Sequence, residues 1–298
     1  MKFGVSHSPF QWWSSTRQLD EWVLKVEEMG YDGIFLPDHY NLPSPPKEQI
    51  VVDAWTTIVY IAAKSSRIRI GSIVTPVPRW VPSQLAKIIA SADILSNGRV
   101  IAALGAGWHR DEFVNYAPRG ALDFDDPKVR FEKFVEGTEI MIKLWTEESV
   151  TFKGRYYTLE NAVLYPKPVQ KPYPPLWCGG HKSQMIKITA KYFDGWIPSK
   201  FELPAGFGSP SSTISSPEHY RTLKNKIIEH LRKFRRDVNG FTFGLLGELP
   251  SAELLEKYGD AGCQYYVFDL VPPGKPVPSP SQCIEMTKKF AEEIIPSF

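Results

Sequence analysis

Short runs of β-branched and aromatic residues alternate with amphipathic segments along the whole chain, and this alternation constrains the fold more than any other feature. Lys2–Ser6 reads as a strand; behind a Ser15-x-x-Gln18 capping box, Leu19, Trp22, Val23, Val26 and Met29 recur at helical spacing up to Gly30. Strand Gly33–Leu36 precedes a helix capped by Asp53, and strand Ile68–Val74 precedes one opened by Pro82 and closed by Asn97-Gly98. Strand Val100–Leu104 leads to a long amphipathic helix from Pro127 to Trp145. Leu176–Cys178, Gly195–Ile197, Phe241–Leu246 and Gln264–Phe268 are the later strands, followed by helices from Ser183, Pro217, Ser251 and Ser281.

Parallel neighbours need a crossover connection, and a helix supplies it. Eight such units in 298 residues predict an α/β fold of the closed (β/α)8 TIM-barrel type, in one domain covering residues 1–298. A doubly wound open sheet is the alternative, but no G-x-G-x-x-G joins the first strand to the first helix. In Val150–Leu159, Lys153-Gly154 separates two β-rich runs and predicts a hairpin inserted before the fifth strand. The proline-rich stretches 43–46, 166–175 and 272–280 predict loops at strand ends, and Ser209–Ser216 a polar connection.

Composition excludes several classes of function. Thirty-five basic against 33 acidic residues leave a formal charge of +2, which argues against nucleic acid as a partner. The most apolar stretch, Ala54 to Ala63, is far shorter than the roughly 20 residues a bilayer requires, so no membrane association is expected. The first residues lack a secretory pattern, and the 3 cysteines (Cys178, Cys263, Cys283) form no C-x-x-C pair, so a reducing cytoplasm is the expected location. The 6 histidines show no H-E-x-x-H spacing, and no metal is expected.

Reactive groups of a (β/α)8 barrel sit at the carboxyl ends of its strands. Here those positions hold Ser6-His7, Pro37-Asp38-His39, Thr75-Pro76, Gly105-Ala106-Gly107-Trp108-His109 and Gly179-Gly180-His181. Imidazoles and small residues therefore converge on one rim. His39 reads either as a solvated loop residue or as an acid or base, since imidazole titrates near neutrality. Asp38 caps its loop or accepts a hydrogen bond from a ligand. Gly179-Gly180 is an ordinary turn or an anion cradle, in which the amides of Gly180 and His181 and the helix start near Ser183 face a phosphate. Gly105 and Gly107 leave room for a ligand beside the backbone, Trp108 and His109 are placed to line a substrate pocket, and Cys178 reads as a buried small hydrophobe.

The run GSIVTPVPRWVPSQLAKIIASADILSNGRVIAALGAGW (Gly71 to Trp108), FLPDH (Phe35 to His39), LWTEESVTFKGRYY (Leu144 to Tyr157) and PPLWCGGHKSQMIKITAKYFDGW (Pro174 to Trp196) resemble the bacterial luciferase-like flavin and deazaflavin oxidoreductases. The resemblance covers the chain from the first strand to about Trp196. It implies a barrel that binds coenzyme F420, a 5-deazaflavin, or alternatively FMN, at the carboxyl rim. Asp38-His39 and Ser72 to Pro76 are similar to the deazaflavin branch. On that branch His39 would be the catalytic acid or base. Asp38, Ser72, Ile73, Val74, Thr75, Gly105, Ala106, Gly107, Gly179, Gly180 and His181 would contact the cofactor, and a cis peptide would join Ser72 to Ile73.

Two departures bear on the substrate. The family's sugar-phosphate dehydrogenases resemble this chain but carry a glutamate where it has Trp108, and the methylene-pterin reductases carry an acid where it has Ser6-His7. His7 then becomes a second candidate acid or base and, with Trp108 and His109, a substrate-binding residue. The implied function is hydride transfer between F420 and a small alcohol, imine or activated alkene, by a homodimer. Its alternatives are a monooxygenase fed reduced FMN by a separate reductase, and a flavin or deazaflavin carrier without catalysis.

Overall fold

The strands are short and buried on both faces, as in a parallel sheet covered by helices. In the computed structural model, which describes residues 1–7, 16–41, 52–116, 125–201, 213–272 and 278–298, β1 (Lys2–Ser6) leads to α1 (Thr16–Glu28) and β2 (Gly33–Leu36) to α2 (Ala54–Lys64). Next, β3 (Arg69–Pro76) runs through a 3-10 turn (Val77–Arg79) into α3 (Pro82–Leu95), and β4 (Val100–Gly105) is followed by α4 (Arg110–Tyr116) and α5 (Pro127–Thr146). A hairpin, β5 (Val150–Lys153) and β6 (Thr158–Ala162), precedes β7 (Leu176–Cys178) and α6 (Ser183–Tyr192). Three further units complete the chain: β8 (Gly195–Trp196) with α7 (Pro217–Lys233), β9 (Thr242–Gly247) with α8 (Ala252–Asp260), and β10 (Tyr265–Asp269) with α9 (Pro280–Glu293).

All strands but the hairpin pair in parallel and close in the order β1-β10-β9-β8-β7-β4-β3-β2, a (β/α)8 barrel with the hairpin inserted before its fifth strand. Local chemistry places the helices. Asp53 accepts the Thr56 N–H at the start of α2, Ser251 caps α8, and Ser279 with Gln282 forms a capping box that starts α9 one residue earlier than Ser281. Gly30 and Gly98 take positive φ where α1 and α3 end. The Ser15 end of the first capping box, most of the proline stretches at 43–46 and 272–280, and much of Ser209–Ser216 lie outside the described residues.

The wall has two apolar sides. Outward-facing side chains join the helices in one large core, while Phe35, Ile73, Ile101, Trp177, Tyr265 and Val267 fill the interior. There the Trp177 ring lies 5.7 Å from Phe35 and 5.0 Å from Tyr265, centroid to centroid, closing the barrel below the rim. The barrel is thus a packed core and the space for chemistry is at its carboxyl mouth.

Candidate active site

Arg79 organises the rim. It ends the 3-10 turn after β3, where the rigid Pro76-Val77-Pro78 run delivers its guanidinium into the space between the loops after β2 and β4. The side chain is 1% exposed there. It pairs with a carboxylate oxygen of Asp38, donates to the Asp38 carbonyl at 3.0 Å, and reaches Glu112 Oε2 at 2.7 Å. The Tyr40 ring covers it, centroid 4.0 Å from the guanidinium carbon. The other Glu112 oxygen lies 3.0 Å from His39 Nδ1 and accepts the Tyr40 N–H at 2.7 Å. His39 is thereby held by its Nδ1 edge, and Nε2 is the nitrogen left for chemistry.

Burial works against the Glu112 carboxylate, but the hydrogen bond to His39 and the charge of Arg79 outweigh it and hold the group at about 2. Burial raises the pKa of Asp38, opposed by the Arg79 guanidinium beside it. His39 is the more open member, its side chain 22% exposed, with Trp108 and His109 edge-on at 5.6 and 6.1 Å. Burial also lowers the pKa of His109, which favours the neutral ring.

Several predicted positions take partners within the protein. Asp38 is buried and engaged by Arg79 and by Trp80 Nε1 at 3.3 Å, so its carboxylate holds the site together. The hydroxyl of Ser72 donates to the Ala103 carbonyl, and that of Thr75 accepts from Trp55 Nε1. Both side chains tie β3 to its surroundings. The cis peptide joins Ile73 to Val74, one bond later than Ser72–Ile73. The register with β4 runs regularly through Ser72–Ala102 and shifts before Thr75–Leu104, so the irregularity begins after Ser72. His7 is a correction too. It is fully buried, its ring 5.3 Å from Trp22 of α1 on the helix side of β1, and desolvation lowers its pKa to about 3. The side chain of β1 that alternation turns toward the interior is Ser6, because Val5 belongs to the outer core.

The glycines make room for protein. A Cβ on Gly105 or Gly179 would come within 2.8 or 2.7 Å of Val74, and one on Gly180 within 2.7 Å of Met185. Gly107 combines a φ of +77 with the Phe113 ring packed where its Cβ would be. Gly105 and Gly179 therefore let Val74 bulge across the mouth, with Ala106 and Gly107 carrying the chain on to Trp108. No side chain caps α6, whose N-cap is Lys182, so its first amides follow Gly180-His181 as an open helix end. Cys178 is buried and burial raises its thiol to about 11, in keeping with a packing role.

Glu112 and Arg79 were not singled out in the sequence. Neither stands in a motif: Glu112 lies in the first turn of a 7-residue helix between a tryptophan-histidine pair and residues 117–124, and Arg79 reads as one more surface cation.

Comparison with known proteins bears on the fold and the family. An F420-dependent glucose-6-phosphate dehydrogenase of Kineococcus radiotolerans is 30% identical over 198 residues, 66% of this chain but 56% of that protein's length. In three dimensions the chain resembles an F420-dependent secondary alcohol dehydrogenase (TM-score 0.77, 20% identity, covering 99% of this chain and 98% of that one). It also resembles the monooxygenase RslO1 of Streptomyces bottropensis (TM-score 0.75, 17% identity, 100% and 99% covered). Residues 1–253 match the family described as luciferase-like monooxygenase, and with the closed barrel and its bulged third strand this places the chain in that family.

Proposed function

We propose that this protein is a coenzyme F420-dependent oxidoreductase that moves a hydride between the deazaflavin and a small organic substrate, with His39 handling the accompanying proton. The observation that carries the reading is the Glu112–His39 pair backed by Arg79 and Asp38: an imidazole fixed by its Nδ1 edge at the mouth, more open than its partners, is placed to pass a proton. The name of the Kineococcus relative supports F420 as the cofactor. A deazaflavin held at the mouth would supply hydride chemistry at its ring carbon.

The residues present fit such a cofactor. The Val74 bulge, enabled by Gly105 and Gly179, offers a flat apolar rest for a ring. The open amino end of α6 beside Gly180, His181 and Lys182 suits the phosphate of a cofactor tail. Trp108, His109 and His39 form the aromatic side of the mouth, where a substrate would be screened from water. His39 would take the hydroxyl proton as an alcohol is oxidised and return it in the reverse direction.

Among the described residues no helix is long and apolar enough to cross a membrane. The reading includes a cytoplasmic homodimer, which light scattering and cell fractionation would test. For the reaction itself, anaerobic loss of oxidised F420 absorbance with a panel of secondary alcohols is expected. Oxygen uptake with reduced FMN and no reaction with F420 would replace this reading by the monooxygenase one.

A further inference from the structure

The last strand of the barrel ends in a carboxyl group that the proton-handling cluster does not use. In β10, Phe268 and the following Leu270 face the outer core while Tyr265 and Val267 face the interior, so alternation turns Asp269 inward at the carboxyl rim. Its register partner on β1 is Ser6, and the next strand, β2, leads directly into Asp38-His39. With strands about 4.8 Å apart, β10 and β2 stand roughly 10 Å from each other across the mouth. A small molecule held against His39 can reach Asp269.

Asp269 is 7% exposed and Ser6 fully buried, and Asp269 Oδ1 accepts the Val271 N–H at 2.9 Å. Burial raises the carboxyl to about 7, opposed by the Val271 amide and the Ser6 hydroxyl. Among the described residues the neighbours supply no cation. From β1 come Ser6 and His7, whose pKa burial lowers to about 3; from β9 come Leu246 and Gly247; from α9 comes Cys283, a thiol pushed up to about 12. An ionised Asp269 would stand unpaired among the described residues, whereas a protonated one has an O–H to donate.

We propose that Asp269 and Ser6 form a hydrogen-bond-donating substrate subsite at the barrel mouth, which takes an uncharged oxygen function and disfavours carboxylate- or phosphate-bearing substrates. This deepens, and rests on, the oxidoreductase reading above. The substrate would be a neutral carbonyl or alcohol compound with its reacting C–O group toward His39 and a second, acceptor oxygen toward Asp269. Anionic substrates would meet a carboxyl that turns negative as pH rises, with no described cation beside it.

Butan-2-one and propanoate, similar in size and different in charge, are suitable probes, followed by ligand-observed NMR on the F420-loaded protein. Wild type should bind butan-2-one at least about tenfold more tightly than propanoate and lose affinity above pH about 7. Asp269→Ala should weaken butan-2-one about tenfold, whereas Asp269→Asn, which keeps a donor, should hold the affinity and abolish its pH dependence. F420 binding, read by tryptophan quenching, should be equal in all three proteins. If wild type does not bind F420, the oxidoreductase reading falls and the subsite with it. If F420 binds but butan-2-one shows no saturable binding, or an affinity and pH dependence indifferent to residue 269, the subsite alone is overturned.

Discussion

Glu112 Oε1 lies 3.0 Å from His39 Nδ1, joining the first helix after β4 to the loop after β2 and fixing which imidazole nitrogen faces the mouth. The other oxygen of the same carboxylate is held by Arg79 at 2.7 Å. Orientation of His39 and the stability of the rim are therefore one device, and substitutions should affect them together. Glu112→Gln keeps an acceptor for Nδ1–H and should lower turnover by roughly tenfold. Glu112→Ala should lower it by roughly 10²-fold and cost about 3 to 5 kcal/mol of stability, because a buried guanidinium loses a partner. Steady-state rates and denaturant melts of the two variants check this; equal rates in wild type and Glu112→Ala would contradict it.

Substituting His39 itself separates chemistry from binding. His39→Ala should reduce turnover by roughly 10²-fold or more while F420 affinity stays within several-fold, since the ring is held by Glu112 and the cluster behind it stays intact. Rapid-reaction measurements of F420 reduction would read the first quantity and tryptophan quenching the second. A loss of affinity as large as the loss of rate would make His39 a binding residue.

The bulge of β3 is a packing arrangement and can be tested as one. In Gly179→Ala the new Cβ would fall 2.7 Å from Val74 Cγ1, which should destabilise the fold by roughly 1 to 3 kcal/mol and weaken cofactor binding. Adding Val74→Ala should restore much of the stability. A double variant no more stable than Gly179→Ala would show that the glycine serves something other than Val74.

These tests mark where the sequence was legible. The alternation of strand and helix, the inserted hairpin and most caps follow from local rules, so Lys2–Ser6, Gly33–Leu36, Leu176–Cys178 and the helix beginning at Ser183 stand where periodicity and capping put them. The rim was legible as a set of positions, because strand ends in a barrel point one way. Which partner each side chain takes was not. Asp38 turns to Arg79, 41 residues away, and His39 to Glu112, 73 residues away, and no spacing rule connects them. His7 was misassigned by its adjacency to a strand end: a shift of one residue from Ser6 carries a side chain to the other face of the wall. The site of the cis peptide moved by one bond for a related reason, since only the pairing with β4 reveals where the regular register stops.

Asp269 should also write itself into the pH dependence of stability. Its carboxyl rises from 3.8 to about 7 on folding, so the folded state binds a proton the unfolded state releases between those values. The stability this contributes is fully present below pH about 4 and is lost as pH rises through about 7. Asp269→Asn does not titrate, so its Tm minus that of wild type should climb by several degrees across this window. A difference independent of pH would mean that Asp269 is ionised in the folded protein as it is in the unfolded one.

The cofactor assigned to this mouth is a deazaflavin and not FMN. Titration of the purified protein with F420 and, separately, with FMN, followed by quenching of its 9 tryptophans, tests it most directly. Saturable quenching by F420 at least about tenfold tighter than by FMN is the predicted result. Tighter binding of FMN, or saturation by neither, would contradict the account.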